Sequence, residues 1–179
     1  MHQQNCLLMA RYNQEMNDKL YDCARQLSAE DLNKDMGAFF GSVLGTLNHN
    51  VVGDIVWMKR FAEHPANFTS LRGLADIVKP DSLDQTISED LESLYDLRKK
   101  LDEMILAWAE ELTDESLATQ FPYQNMKGEQ FNDRLMYPLQ HFFNHQTHHR
   151  GQLTTLFNQL GIDPGVTDLL MTIRSSDLP

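Results

Sequence analysis

Cysteine is scarce in this chain. Two are present among 179 residues, Cys6 and Cys23, both in one predicted helix. At about 1.5 Å of rise per residue they stand roughly 25 Å apart, too far for a bridge. Both are expected as ordinary small buried or half-buried side chains, and the lack of a disulfide framework fits a reducing compartment. Basic side chains are also few, 15 against 26 acidic ones, for a formal charge of −11. That field repels phosphate backbones and anionic bilayers. No basic stripe with interleaved aromatics appears, so neither nucleic acid nor a membrane is an expected partner. The stretches without charge are broken by Asn, Gln, His and Gly, and none reads as a membrane span. Met1-His2-Gln3-Gln4-Asn5 shows no basic region leading into an apolar run, so no signal peptide is expected. The simplest expectation is a soluble, cytoplasmic protein.

What is present is helical periodicity. Apolar residues make up 41% of the chain, enough for one core, and residues 1–179 read as a single domain. Leu7, Leu8, Tyr12, Met16, Leu20 and Cys23 predict a first helix over about Gln3 to Leu27. Gly41 to Ala62 forms the second, with Phe40, Leu44, Leu47, Val51, Ile55 and Met58 facing inward and Pro65 ending it. Ser88-Glu89-Asp90 opens the third. Leu91, Leu94, Leu97, Leu101, Ile105, Trp108 and Leu112 carry it at bundle spacing, with its acidic residues on a solvated face. Residues 117–135 break the pattern. Phe121-Pro122-Tyr123 and Phe131 flank Asn125-Met126-Lys127-Gly128, the mark of a short β-hairpin. Pro138 is tolerated in a first helical turn, so a fourth helix starts near Tyr137 and stops before the capping Gly161. Val166 to Ile173 can add a last helical piece. The chain therefore reads as an all-α bundle with a hairpin before its last long helix.

The chemistry concentrates in Phe142-Phe143-Asn144-His145-Gln146-Thr147-His148-His149-Arg150-Gly151-Gln152. His145 and His149 are four residues apart, hence on one helix face with Cβ atoms about 5–6 Å apart, and they occupy the apolar stripe where leucine is expected. Two buried imidazoles are costly unless something satisfies both, and a divalent metal does. His49, between Gly45 and Gly53 on the second helix, supplies a third ligand. Its glycine neighbours let another helix approach and leave room for an ion or substrate. Three neutral imidazoles with an open position describe a catalytic zinc-type site, and nitrogen ligation also suits nickel, iron or copper. The His-Glu-x-x-His pattern is missing, since Gln146, Thr147 and His148 stand between the pair, which argues against a zincin protease.

Other residues are placed by position. His141 and His148 fall at the stripe's edge, where a surface role is expected, though either can line a pocket. Gln152, one turn after His149, can support a ligand or line the pocket. His64 precedes Pro65 at a helix end, where the dipole favours a cation, and is excluded as a ligand along with His2. Asp54, about 140° around the helix from His49, is off the ligand face and can pair with a basic group across the bundle. Trp57 is expected in the core.

Taken together, four blocks resemble the DinB/YfiT-like family. They are Ala10-Arg11-Tyr12-Asn13 with Asn17; Gly41 to His49 with Asp54, Trp57 and Arg60; Phe142 to Gln152; and Gly161, Asp163, Gly165 with Thr167-Asp168-Leu169-Leu170. The resemblance covers nearly the whole chain. It implies an up-down-down-up four-helix bundle in which His49, His145 and His149 hold a metal, often as a homodimer. Family relatives are thiol-dependent transferases or isomerases and presumed hydrolases. Two departures stand out: Glu15, where relatives often carry an aromatic residue, and Thr154, where many carry another histidine.

The leading expectation is a metal-dependent enzyme acting on a small molecule. It would be a thiol S-transferase using a low-molecular-weight thiol, or a hydrolase, with zinc, nickel or iron at the site. The alternatives are a non-catalytic metal-binding stress-response protein, which would use a fourth protein ligand such as His148 or His141, and a purely structural dimeric bundle.

Overall fold

In the computed structural model, which describes residues 2–175, four long helices form the bundle. They are α1 (Gln3–Ala24), α3 (Val43–Ala62), α4 (Leu91–Glu111) and α6 (Met136–Gln159). Short helices α2 (Ala29–Asn33), α5 (Asp114–Ala118) and α7 (Leu169–Ser175) decorate the connections, as does a 3₁₀ segment over Thr69–Asp76. The ends obey local chemistry. Ser42 caps α3 by accepting the Gly45 N–H at 3.0 Å, and Asp90 caps α4 through the Ser93 N–H at 2.8 Å. Pro138 falls in the first turn of α6. Gly161, at φ +79°, ends that helix in the left-handed conformation that glycine tolerates. Among the described residues no helix is long and apolar enough to cross a membrane.

Helix directions follow from which residues meet. The Gln3 side chain reaches the Glu110 carbonyl, Asn17 reaches Asp102 and Arg25 reaches Glu92, so α1 and α4 are antiparallel. Asp54 meets Arg98 and Phe61 stacks on Trp108, so α3 and α4 run parallel. Trp57 faces His141 while His49 faces His149, so α3 and α6 are antiparallel. The result is the expected up-down-down-up bundle. β1 (Gln120–Gln124) and β2 (Gln130–Arg134) pair as an antiparallel hairpin between α5 and α6. It packs onto the bundle through Phe121, which is buried against Phe61.

Several helix faces differ from the periodic reading. Phe40 precedes α3 rather than belonging to it. Its carbonyl oxygen occupies the space a side chain on Gly45 would need, so Gly45 admits a loop and not a neighbouring helix. The acidic face of α4 is not wholly solvated. Asp102 is buried, and so is Arg98. Arg98 binds Asp54 at 2.5 Å and Asp102 at 2.9 Å. Asn17 donates to Asp102 at 3.0 Å and Gln146 to Asp54 at 2.8 Å. This single network therefore joins α1, α3, α4 and α6, and it supplies the cross-bundle partner expected for Asp54. Two carboxylates share one guanidinium, and burial pushes both carboxyl pKa values upward, Asp102 to about 6. His64 is also revised. It is buried, its Nδ1 accepts the Ala66 N–H at 3.0 Å, and its Nε2–H bonds the Thr119 hydroxyl at 2.9 Å. Burial lowers its pKa, so it is a neutral structural histidine and not a cation on the helix dipole. Cys6 and Cys23 are both buried free thiols, as expected.

Candidate metal centre

His49 on α3 and His145 and His149 on α6 converge, with ligand-capable nitrogens all within 4.8 Å of one another. His145 Nε2 stands 3.2 Å from His49 Nε2 and 3.1 Å from His149 Nε2. His49 and His149 are buried and His145 half-buried. The antiparallel packing of α3 on α6 makes this possible, because Gly53 lies where His145 crosses. A Cβ at that position would come within 2.8 Å of His145 Cε1. Gly53 thus leaves the space that the His145 ring occupies.

The outer nitrogens fix the protonation states. His49 Nδ1–H donates to the Leu83 carbonyl at 2.7 Å, which leaves its Nε2 bare. His149 Nδ1–H donates to Gln152 Oε1 at 2.7 Å, which bares its Nε2 too. The Gln152 amide also lies 3.3 Å from His148 Nε2, so one amide bridges the two rings. His145 can offer one N–H, which satisfies one of the two lone pairs turned toward it. Burial, and then the neighbouring imidazoles, lower the pKa of His145 to about 3. Burial likewise lowers His149 to about 4 and moves His49 downward. Near neutral pH all three rings are uncharged, as ligation requires.

These residues fit a divalent cation. Two nitrogens bound to one tetrahedral ion at about 2.0–2.1 Å stand about 3.3 Å apart, close to the observed separations of 3.1 and 3.2 Å. The outer N–H groups on Leu83 and Gln152 are the kind of contact that orients ligating histidines and raises their basicity. Phe40 closes one side, its ring stacked on His49 at 3.7 Å between centroids. The three histidines could therefore hold a metal ion, and no fourth His, Cys, Asp or Glu joins the group among the described residues.

A cleft of about 360 Å³ opens on His49 and His145. Trp57 and Arg60 line it on α3, and the hairpin turn, from Asn125 to Glu129, walls the far side. Trp57 is half-buried in this wall and not in the core as expected. The signal was present in the sequence: positions 53, 57 and 60 follow His49 by four, eight and eleven residues, which is one helical face. Nothing in the sequence pointed to the Leu83 carbonyl or the hairpin turn, since both arrive through loops. His141 is exposed beside Trp57 in the same cleft, and His148 is exposed with Gln152 in a separate shallow recess. Both sit at the edge of the cluster without joining it. The two departures lie outside it as well. Glu15 accepts a bond from the Thr172 hydroxyl of α7, and Thr154 bonds the Gly151 carbonyl.

A family model described as the DinB family matches residues 1–177. A curated relative, Protein DinB of Bacillus subtilis (strain 168), is 25% identical over 157 residues, covering 88% of this chain and 87% of that protein. With its helical bundle and hairpin in place, the chain belongs to the DinB family.

Proposed function

We propose that this protein is a metal-dependent enzyme acting on a small molecule, with His49, His145 and His149 as the ligands. One observation carries the reading: bare Nε2 lone pairs on His49 and His149 face His145 at 3.2 and 3.1 Å, while their opposite nitrogens are tied to Leu83 and Gln152. Two lone pairs facing a ring that has a single N–H leave at least one unanswered, which is unfavourable unless a cation sits among them. A divalent metal there supplies Lewis acidity, lowering the pKa of a thiol or water brought to it.

The chain's own residues do the rest. Leu83 and Gln152 hold two imidazoles in the ligating tautomer. Gly53 lets His145 cross, and Phe40 shields His49 from water on one side. The cleft beside His49 and His145 gives a substrate its approach. Three protein ligands with a cleft alongside favour catalysis over storage, because a storage site would be closed by a fourth ligand. The reaction class follows the same logic. Thiol transfer is the leading form, since a thiolate is a strong nucleophile at neutral pH, and hydrolysis is the alternative.

The test is metal analysis of the purified chain. About one equivalent of zinc, nickel or iron is expected, and His149→Ala should lose it while keeping the helical circular-dichroism spectrum. Metal content unchanged in that variant would refute the ligand assignment. Consumption of an electrophile only when a low-molecular-weight thiol is added marks transfer, and equal turnover without thiol marks hydrolysis.

A further inference from the structure

The cleft beside the histidines holds two cations that no protein acceptor answers. Arg60 is half-buried, with its guanidinium over the Trp57 ring at 4.6 Å from the centroid. Among the described residues that guanidinium has no hydrogen bond or ion pair. Glu63, one turn on, is exposed and acts on it only at a distance. Lys127, in the hairpin turn, lines the same cleft and forms no ion pair among the described residues. The one carboxylate in the lining, Glu129, already accepts a bond from Asn125 Nδ2 at 2.6 Å. The chain carries 26 acidic and 15 basic side chains, and elsewhere Arg25 and Arg98 each engage two carboxylates.

A partly desolvated guanidinium without an anion is costly to keep. Its planar fork matches a carboxylate, and stacking on the indole holds it in one pose before a ligand arrives. Val56, Leu83 and Met126 give the remaining walls an apolar surface. The lining therefore suits a small molecule with an apolar body and an anionic end.

We propose that this cleft selects small molecules bearing a carboxylate, and that Arg60, held on Trp57, binds that carboxylate while the molecule's other end points to the histidines. Only the role of that other end rests on the metal reading. The carboxylate can belong to the electrophile or to the thiol. Lys127 adds general attraction at the rim.

The experiment uses the full chain and has two arms. In the first, benzoate and benzamide are titrated into metal-free and zinc-loaded protein. Binding is followed by tryptophan fluorescence, because Trp57 lines the cleft and the second tryptophan, Trp108, is fully buried. In the second, 3-mercaptopropionate and 2-mercaptoethanol are titrated into cobalt-loaded protein and read by the sulfur-to-cobalt charge-transfer band. A preference of at least tenfold for the carboxylate is expected in one arm, and that arm identifies which reactant carries it. Arg60→Gln should reduce the preference to less than twofold with metal content and thermal midpoint unchanged, Arg60→Lys should restore part of it, and Lys127→Gln should leave most of it. No preference in either arm, or one that survives Arg60→Gln, overturns the proposal. A chain that retains no cobalt or zinc overturns the metal reading instead, and the metal-free benzoate titration still decides this one.

Discussion

Two polar clusters cross the bundle between α3 and α6, with Asp54 five residues after His49 on α3 and Gln146 between His145 and His149 on α6. In the first, Arg98 lies between Asp54 and Asp102, and Asn17 and Gln146 add hydrogen bonds from the remaining helices. In the second, three imidazoles turn nitrogens toward one another with at most one N–H to share. The first is wholly buried, and in the second His49 and His149 are buried and His145 half-buried. The first answers its one guanidinium with two carboxylates and joins four helices, although Asp54 Oδ1, Arg98 Nε and Gln146 Oε1 have no hydrogen-bond partner. The second leaves a lone pair that a cation could take up. Buried polarity that is matched internally holds elements in register, whereas buried polarity that is unmatched marks a place where something binds.

The largest expected effect tests the matched cluster. Asp54→Ala leaves Arg98 buried with half its partners and should cost about 3–5 kcal/mol in urea unfolding of the metal-free chain. His149→Ala in the same assay should change stability by about 1 kcal/mol or less. Equal losses would erase the distinction between the two clusters.

Next is Gln152→Ala, which frees His149 to rotate and to change tautomer. Metal affinity should fall about 10–100-fold, measured by competition with a chelator, with little change in metal-free stability. An unchanged affinity would show that Gln152 does not orient the ligand.

Acid supplies a third comparison. The folded pKa values of His145 and His149 are lowered to about 3 and about 4 from 6.5. Between those values and 6.5 the unfolded chain binds more protons than the folded one. Their contribution is therefore fully present above pH 6.5 and lost as pH falls toward 4. Asp102, raised to about 6, works the other way, since its folded state takes the proton first. Subtracting the double variant His145→Ala/His149→Ala isolates the imidazoles. Discounted for partial solvent exposure, they should account for about 2 kcal/mol between pH 7 and pH 5. Identical acid profiles for the two proteins would contradict burial as the cause of the shifts.

The smallest effect is the most selective. Gly53→Ala removes a helix-interior glycine, worth up to about 1 kcal/mol of stability. Its Cβ would meet His145 Cε1 at 2.8 Å, so the ring must move. Stability that holds or rises while metal affinity drops is the expected signature, and an unaltered affinity would mean that His145 has room to spare.

The long helices, the hairpin and the pairing of His145 with His149 were legible because each is a local or periodic signal. Four-residue spacing puts His145 and His149 together whatever surrounds them. Legibility failed where burial overrode residue type. Asp102 read with the other acids of α4 as a surface charge, yet it is interior, where Arg98 one turn away answers it. Trp57 read as core because aromatic residues usually are, and Phe40 read as helix because its spacing matched.

From the sequence alone came the bundle, the candidate histidines and their spacing along two helices, because a 3.6-residue repeat and the coordination chemistry of imidazole are properties of short segments. Only tertiary structure decided that His49 meets the pair from an antiparallel neighbour, that a loop carbonyl at Leu83 selects its tautomer, and that Arg60 faces the cleft without an acid. Those outcomes depend on which helices touch and how loops return over them. Contacts between residues 34 and 96 positions apart are set by the packing of the whole core, which no local pattern encodes.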